Sequence, residues 1–312
     1  MTALSFRSGR MGTWRLGRTL VLWAATLAFL IYVLAPVAWL LSSSFQSERE
    51  IVSKPPHWIP HHPTLQNFAA IFTAKDRHVT YESRRAADPA TGGYIPSTAS
   101  NLLPAIGNSL IVACAVVVLN LLVGVPAAYA MAKIRFRGRE ASIYAILATR
   151  VIPDIALVVP FFLFIRDLGL LDSLWSLIIT YLAITVPFSV FILANYFESL
   201  PDDLDKAARV DGCSRRQTLT RVYLPLSLPS VVAVTLFAFL ASWNEFLLAL
   251  MFTQTPKSQT LPIIIASFTS DFTISFSFIN AAGVIAVIPP VILAVVFERY
   301  IVSGLTAGAI KG

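Results

Sequence analysis

Charge is what this chain has least of: 13% of its 312 residues are Asp, Glu, Lys or Arg, about half the share of an average soluble domain. Length alone would accommodate two soluble domains, but so few charges cannot cover two globular surfaces. Intrinsic disorder is excluded as well, because it needs low hydrophobicity and high net charge. The two cysteines, Cys114 and Cys213, form no C-x-x-C and no disulfide framework, and the 14 glycines follow no collagen period. Catalytic signatures are missing too. There is no G-x-x-x-x-G-K-S/T loop for a nucleotide phosphate, no H-E-x-x-H, and no Cys/His cluster with zinc spacing. Ser and His meet within no apolar segment, which argues against an intramembrane hydrolase. No catalytic residue, cofactor or metal is therefore expected on this chain. What fills it instead is apolar surface, 56% of residues with a mean hydropathy of +0.71, as in a protein dissolved largely in lipid.

Six stretches are long and apolar enough for the roughly 20 residues a spanning helix needs: Thr19–Leu41, Ile106–Ala132, Ser142–Ile165, Leu174–Phe197, Leu228–Phe252 and Ala281–Val302. The first is too long for a signal-peptide core and reads as a retained helix. Prolines recur within them (Pro36, Pro126, Pro153, Pro160, Pro187, Pro289 and Pro290). That implies kinked helices in a bundle, or prolines that merely shape packing. Orientation follows from Lys and Arg in short loops. Arg7, Arg10, Arg15 and Arg18 precede the first span, Lys133 to Arg139 follow the second, and Lys206 to Arg221 follow the fourth, whereas Arg166 and Lys257 stand alone in theirs. Both termini, 1–18 and 303–312, are expected in the cytoplasm, with a long outer loop at 42–105 and a core of five spans at 106–302. The formal net charge of +7 is then a matter of topology, and nucleic acid is not needed as a partner. All four histidines lie in the outer loop. His57 and His61 have helical i, i+4 spacing for a shared metal, but Pro60 between them and Pro63 beyond point to solvated loop histidines.

Ionisable residues inside the spans must find partners or a cavity. Arg150 and Asp154 stand at i, i+4 and are expected to form an internal charge pair. Glu245 follows Trp243 and Asn244 in the fifth span. It either lines a path or bonds between helices, while Trp243 offers a flat surface to a ligand or simply packs.

The most informative stretch is LPDDLDKAARVDGCSRRQTLTRVYLP, 200–225, between the fourth and fifth spans. Ser199 and Asp202 have capping-box spacing, and Asp203 suits a helix N-terminus. Leu204, Ala207 and Ala208 share one face, Gly212 is a natural stop, and Ser214 with Gln217 opens a second helix. The spacing predicts a short amphipathic helix with a small, alanine-rich strip, better suited to a protein partner than to a lipid surface.

Lys206-Ala207-Ala208, Gly212, Val222 and Leu224-Pro225 resemble the E-A-A-x3-G-x9-I-x-L-P signature of ABC importer permeases, with Lys206 for Glu and Val222 for Ile. Asn108-Ser109-Leu110, Ala128-Tyr129-Ala130, Leu168-Gly169-Leu170 with Asp172, Trp243-Asn244-Glu245-Phe246 and the closing GLTAGAIKG resemble its carbohydrate, maltose-permease-like branch. The resemblance implies an all-α, six-span permease of the type I importer fold in a bacterial inner membrane, importing a sugar, oligosaccharide or polyol. It also implies a second permease subunit, usually a different chain. Two cytoplasmic ATPases would hold the ATP and magnesium, and an extracytoplasmic binding protein would deliver the solute. The ATPase-docking residues would be Asp203, Asp205, Lys206, Ala207, Ala208, Asp211, Gly212, Leu224 and Pro225; with Lys206 in place of the acid, its pair with the ATPase would be absent, inverted, or replaced through Asp205 next door. Trp243, Asn244 and Glu245 would face the path. Two rival readings remain: an ion-coupled carrier using Glu245 or Asp154, and a membrane scaffold that transports nothing.

Overall fold

The computed structural model describes residues 9–73, 97–269 and 275–309, and every regular element among them is helical. Helix α1 (Gly9–Ser44) leads to a one-turn α2 (Glu48–Ile51) and α3 (Gln66–Thr73). A 3-10 turn (Ser97–Asn101) opens α4 (Leu102–Lys133), followed by α5 (Arg139–Thr149), α6 (Asp154–Asp167) and α7 (Leu174–Ser199). Then come α8 (Asp203–Val210), α9 (Arg215–Thr218), a π-helical turn (Leu219–Tyr223) and α10 (Leu224–Leu226). The chain closes with α11 (Leu228–Trp243), α12 (Leu247–Phe252), α13 (Leu261–Ser267) and α14 (Phe276–Ala309). The stretch 74–96 of the long loop, and 310–312 of the tail, lie outside the described residues.

Helices α1, α4, α7 and α14 are each long and apolar enough to cross a membrane, and two bent pairs raise the number of crossings to as many as six. The third expected span is one of these pairs. It is not continuous: α5 and α6 meet at 99°. Pro153 explains the break, since it lacks the N–H an uninterrupted helix needs and pushes the preceding residue out of helical conformation. The other prolines of the long helices, Pro36, Pro126, Pro160, Pro187, Pro289 and Pro290, sit inside helices that run through them. The second pair joins α9–α10 to α11 at 84°. Its bend lies at Ser227, two residues beyond Pro225, which sits within α10. The fifth span is also interrupted, at Asn244–Phe246 between α11 and α12.

Helices α4 and α7 form the most extensive contact. Small residues let their backbones approach: a methyl added at Gly124 would lie 3.7 Å from Ser189, whose hydroxyl accepts a 2.8 Å hydrogen bond from Asn120. Close backbone approach through small side chains, with polar groups bonded between helices, is how helices associate where water cannot drive them together. Around this pair, Leu177, Tyr181 and Phe252 pack at one level, and Tyr129, Phe197 and Tyr223 at the other. Helix α1 sits apart. It touches the bundle through α14, and Leu20, Trp23, Phe29 and Tyr32 are all exposed, as lipid-facing side chains should be.

Candidate functional site

Helix α8 begins at Asp202, whose side chain makes no cap bond; Ser199 is still part of α7 and its hydroxyl donates back to Tyr196 O. The expected Ser199–Asp202 box does not form, because Asp202 is drawn away by Lys133. That ammonium, only 5% exposed at the end of α4, donates to the Asp202 carboxylate at 2.7 Å and to Leu200 O at 2.9 Å. The Lys133 hydrogen bond, reinforced by its charge, holds the Asp202 carboxyl below its ordinary range. The end of α8 matches expectation in full. Gly212 has φ +78°, Gly212 N donates to Arg209 O and Cys213 N to Ala208 O, the paired bonds of a Schellman stop. The Ser214–Gln217 capping box then starts α9, with both of its bonds in place.

The predicted strip splits in two. Ala208 is buried and Leu204 half-buried against the protein's own body, while Ala207 is exposed. Asp205 also turns inward, 16% exposed, accepting from Tyr129 OH at 3.2 Å and pairing with Arg209 at 2.7 Å. It therefore does not stand in for the acid missing at Lys206. Lys206 itself pairs with Asp203 at 2.8 Å in the open, and that partner raises its pKa. The free face of α8 is Asp203, Lys206, Ala207 and Val210, spaced i, i+3, i+4 and i+7. Val210 is 87% exposed. It was passed over in the sequence because the alanines beside it carried the motif; its spacing from Asp203 and Lys206 was the available signal. Asp211, Gly212 and Pro225 are exposed, and Leu224 is half-buried.

The residues expected on a path divide as well. Trp243 is 3% exposed, stacked on Phe239, with its indole N–H on Ala286 O at 3.1 Å. It packs in the core and offers no face to a solute. Glu245 bonds internally. Its carboxylate accepts from Leu248 N at 2.7 Å, Ala249 N at 3.0 Å and Tyr181 OH at 2.5 Å. It thereby restarts the helix after the Asn244–Phe246 break, satisfying N–H groups that would otherwise be orphaned in an apolar setting. Asn244 is exposed, its amide returned to Leu240 O at 3.0 Å. Arg150 and Asp154 form no ion pair, because the Pro153 break puts them on different helices. Arg150 donates to Ile184 O at 3.2 Å and lies over the Phe188 ring, while Asp154 starts α6. A cavity of about 480 Å³ beneath α9 is walled by Leu122, Val125, Leu219, Leu224 and Val231, with Arg216 the one charged group. Such a wall does not suit a hydroxyl-rich ligand.

At the end of the bundle opposite α8, one carboxylate ties two connections together. Asp172, at φ +58°, accepts from Gln254 N at 2.8 Å, Thr255 N at 2.9 Å, Thr255 Oγ1 at 2.8 Å and the Ser258 hydroxyl. Burial alone would raise its pKa, but those donors together hold it well below the carboxylate range. Asn108 reaches Gln259 O at 2.9 Å and Ser109 accepts from Leu261 N at 2.8 Å, so the N-S-L stretch has a structural role here. In the loop between α2 and α3, His57 and His61 are not on a helix, yet their rings lie 4.3 Å apart.

Residues 120–306 match the model of the binding-protein-dependent transport system inner membrane component family. The chain belongs to that family. It is a permease subunit, a multi-pass inner-membrane protein and a transport component rather than an enzyme. It is 36% identical over 283 residues to the sulfoquinovosyl glycerol transport system permease protein SmoH of Agrobacterium fabrum, covering 91% of this chain and 90% of that one. It is 37% identical to the trehalose/maltose transport system permease protein MalG of Thermococcus litoralis, covering 90% and 93%. A bacterial ABC transporter involved in the import of the acidic polysaccharide alginate has the same fold, with a TM-score of 0.75 at 24% identity over 96% of this permease and all of that chain. Family membership leaves the ion-coupled carrier and the passive scaffold without support.

Proposed function

We propose that this permease carries a sugar, oligosaccharide or polyol into the cell, driven by two cytoplasmic ATPases that seat on α8 and hold the ATP and magnesium. A second permease subunit of different sequence completes the pore, and an extracytoplasmic binding protein delivers the solute. In this reading the α8 end faces the cytoplasm with both termini, in keeping with the Lys and Arg excess of its loops. The Asp172 end faces outward. The sugar class rests on the transported molecules named for the relatives.

The observation that carries the proposal is the free face of α8. Helix α8 is closed at its end by a Schellman turn and fastened from beneath by Lys133 and Tyr129. It nonetheless leaves Asp203, Lys206, Ala207 and Val210 exposed. An 87% exposed valine beside an alanine and two charges is a small apolar patch with a polar rim, the anatomy of a protein contact. ATPase closure would push on this face, and the fastening would carry the movement into α4 and, through the π-helical turn, into α11. Asn244, exposed at the α11–α12 break, is the residue of the Trp243-Asn244-Glu245 group left to face a solute.

A photo-crosslinking side chain at Val210 in the membrane-embedded complex tests this. It should capture an ATPase subunit, whereas the same probe at lipid-facing Trp23 should not. Capture at Trp23 alone, or at neither site, would overturn the proposed seat.

A further inference from the structure

The segment between α2 and α3 has no regular structure, yet it is held firmly. Ser42 donates to Trp58 O at 2.5 Å, Gln46 to His57 O at 2.8 Å, and Thr64 N to Phe45 O at 2.8 Å. The Trp39 and Trp58 rings meet edge to face at 5.0 Å. On the other side, Glu48 accepts from Phe276 N and Ser277 N, fixing α2 to the start of α14. Three side chains converge within this frame. One carboxylate oxygen of Glu50 and one ring nitrogen each of His57 and His61 lie within 4.8 Å of one another.

We propose that Glu50, His57 and His61 bind a divalent transition-metal ion of the zinc type on the face of the protein opposite the ATPase seat. The donor set is right for it: two imidazoles and one carboxylate with an open position for water are a common zinc arrangement, and imidazole excludes calcium and magnesium as the preferred guests. The carboxylate is mostly shielded. Glu50 is 10% exposed and faces His61 Nδ1 at 3.4 Å while accepting from His61 N at 2.6 Å. The two imidazole rings lie 4.3 Å apart, edge to face, beside that carboxylate.

Ser53 provides the outer support that ligating histidines usually have. Its hydroxyl donates to Glu50 O at 2.7 Å and lies 3.2 Å from His57 Nδ1, so in the Nδ1–H tautomer its oxygen receives that ring N–H. That tautomer leaves the Nε2 lone pair of His57 for a metal. Tetrahedral zinc with bonds of about 2.0–2.2 Å separates its donors by about 3.3 Å. The remaining closure falls to His61, whose side chain is 64% exposed and can swing. A bound ion would cross-link α2 to the chain ten residues further on, and hence to α14 through Glu48.

The test uses the full chain in lipid nanodiscs, purified through a histidine-free affinity tag, stripped with chelator and dialysed against zinc chloride. Metal analysis should find one zinc per chain, and cobalt(II) in its place should give the intense visible bands of a tetrahedral site. The His57→Ala/His61→Ala pair should lose the ion. Glu50→Gln, which keeps an oxygen for His61 N and so spares the loop, should bind at least tenfold more weakly. Ser53→Ala should weaken binding by about 10–100-fold, and His62→Ala should leave it unchanged. No zinc above the buffer blank, full zinc in the double variant, wild-type affinity in Glu50→Gln, or loss in His62→Ala would each overturn the site. None of these readouts involves transport, so the ATPase seat stands or falls separately.

Discussion

At the α8 end of the permease four carboxylates meet cations: Glu198 with Arg139, Asp202 with Lys133, Asp203 with Lys206, and Asp205 with Arg209. At the other end Asp167 pairs with its neighbour Arg166, but Asp172 and Glu48 meet backbone N–H groups and hydroxyls from segments far away in sequence, and no Lys or Arg among the described residues. The same chemical group is thus used in two ways, and the cause is the lopsided distribution of Lys and Arg between the two ends. Where cations are plentiful, acids pair with them: in the open for Asp203 with Lys206, a weak pair screened by salt, and partly shielded for Asp202 with Lys133 and Asp205 with Arg209. Where cations are scarce, an acid is stabilised by fixed donors, and it becomes a tether whose loss leaves several groups unsatisfied.

The largest effect should come from Gly212→Asp. An L side chain at φ +78° strains the Schellman stop by about 1–2 kcal/mol and puts a new charge at the edge of the proposed ATPase seat. Solute-stimulated ATP hydrolysis and uptake in proteoliposomes should part company, with uptake falling tenfold or more while basal hydrolysis persists. Equal coupling in variant and wild type would remove the seat from this loop.

Asp172→Asn should follow, lowering stability by about 1–3 kcal/mol in thermal unfolding in detergent, because the amide group meets donors with donors. The pH dependence sharpens this. The folded pKa of Asp172 is depressed, so its contribution is fully present above the unfolded value of about 3.9 and is lost as pH falls through the folded one. The gap between wild type and Asp172→Asn should be constant from neutral pH down to about pH 4 and narrow only below that. A gap that closes between pH 7 and 5 would mean that another group carries the effect.

Lys206→Glu should do least to the fold. It removes one exposed pair and places like charge near Asp203, worth a few tenths of a kcal/mol. Helicity and thermal stability should match wild type, while ATPase affinity should change and do so more at low salt. An affinity unchanged at low salt would show that Lys206 is merely solvated.

Much of this was legible from residues alone. Apolar runs located the membrane segments, and the positions of Gly212 and of Ser214 with Gln217 located the turn beneath α8, because local backbone chemistry decides those features. Interactions between distant segments were not legible. Pro153 between Arg150 and Asp154 is plain in the sequence, yet Pro36, Pro126, Pro160 and Pro187 sit inside continuous helices, so the fold decides which proline separates a span into two helices. Nothing near Glu245 announces Tyr181 OH, 64 residues away. Asp205 looked available because its inward partner, Tyr129, belongs to another helix. Hydrophobicity locates a segment, but the way a helix is rotated about its axis depends on neighbours supplied by the fold.

Lys133 gives the α8 end its mechanical character. Its side chain is 5% exposed and its ammonium lies over the Tyr223 ring, so giving up both Asp202 and Leu200 O would leave a shielded charge unpaired. Helix α8 is therefore hitched to the tip of a helix some seventy residues earlier in the chain. With the Tyr129 phenol on Asp205, one turn earlier, the short helix is tied to that rod at two points, so that in the proposed cycle the two would move as one piece.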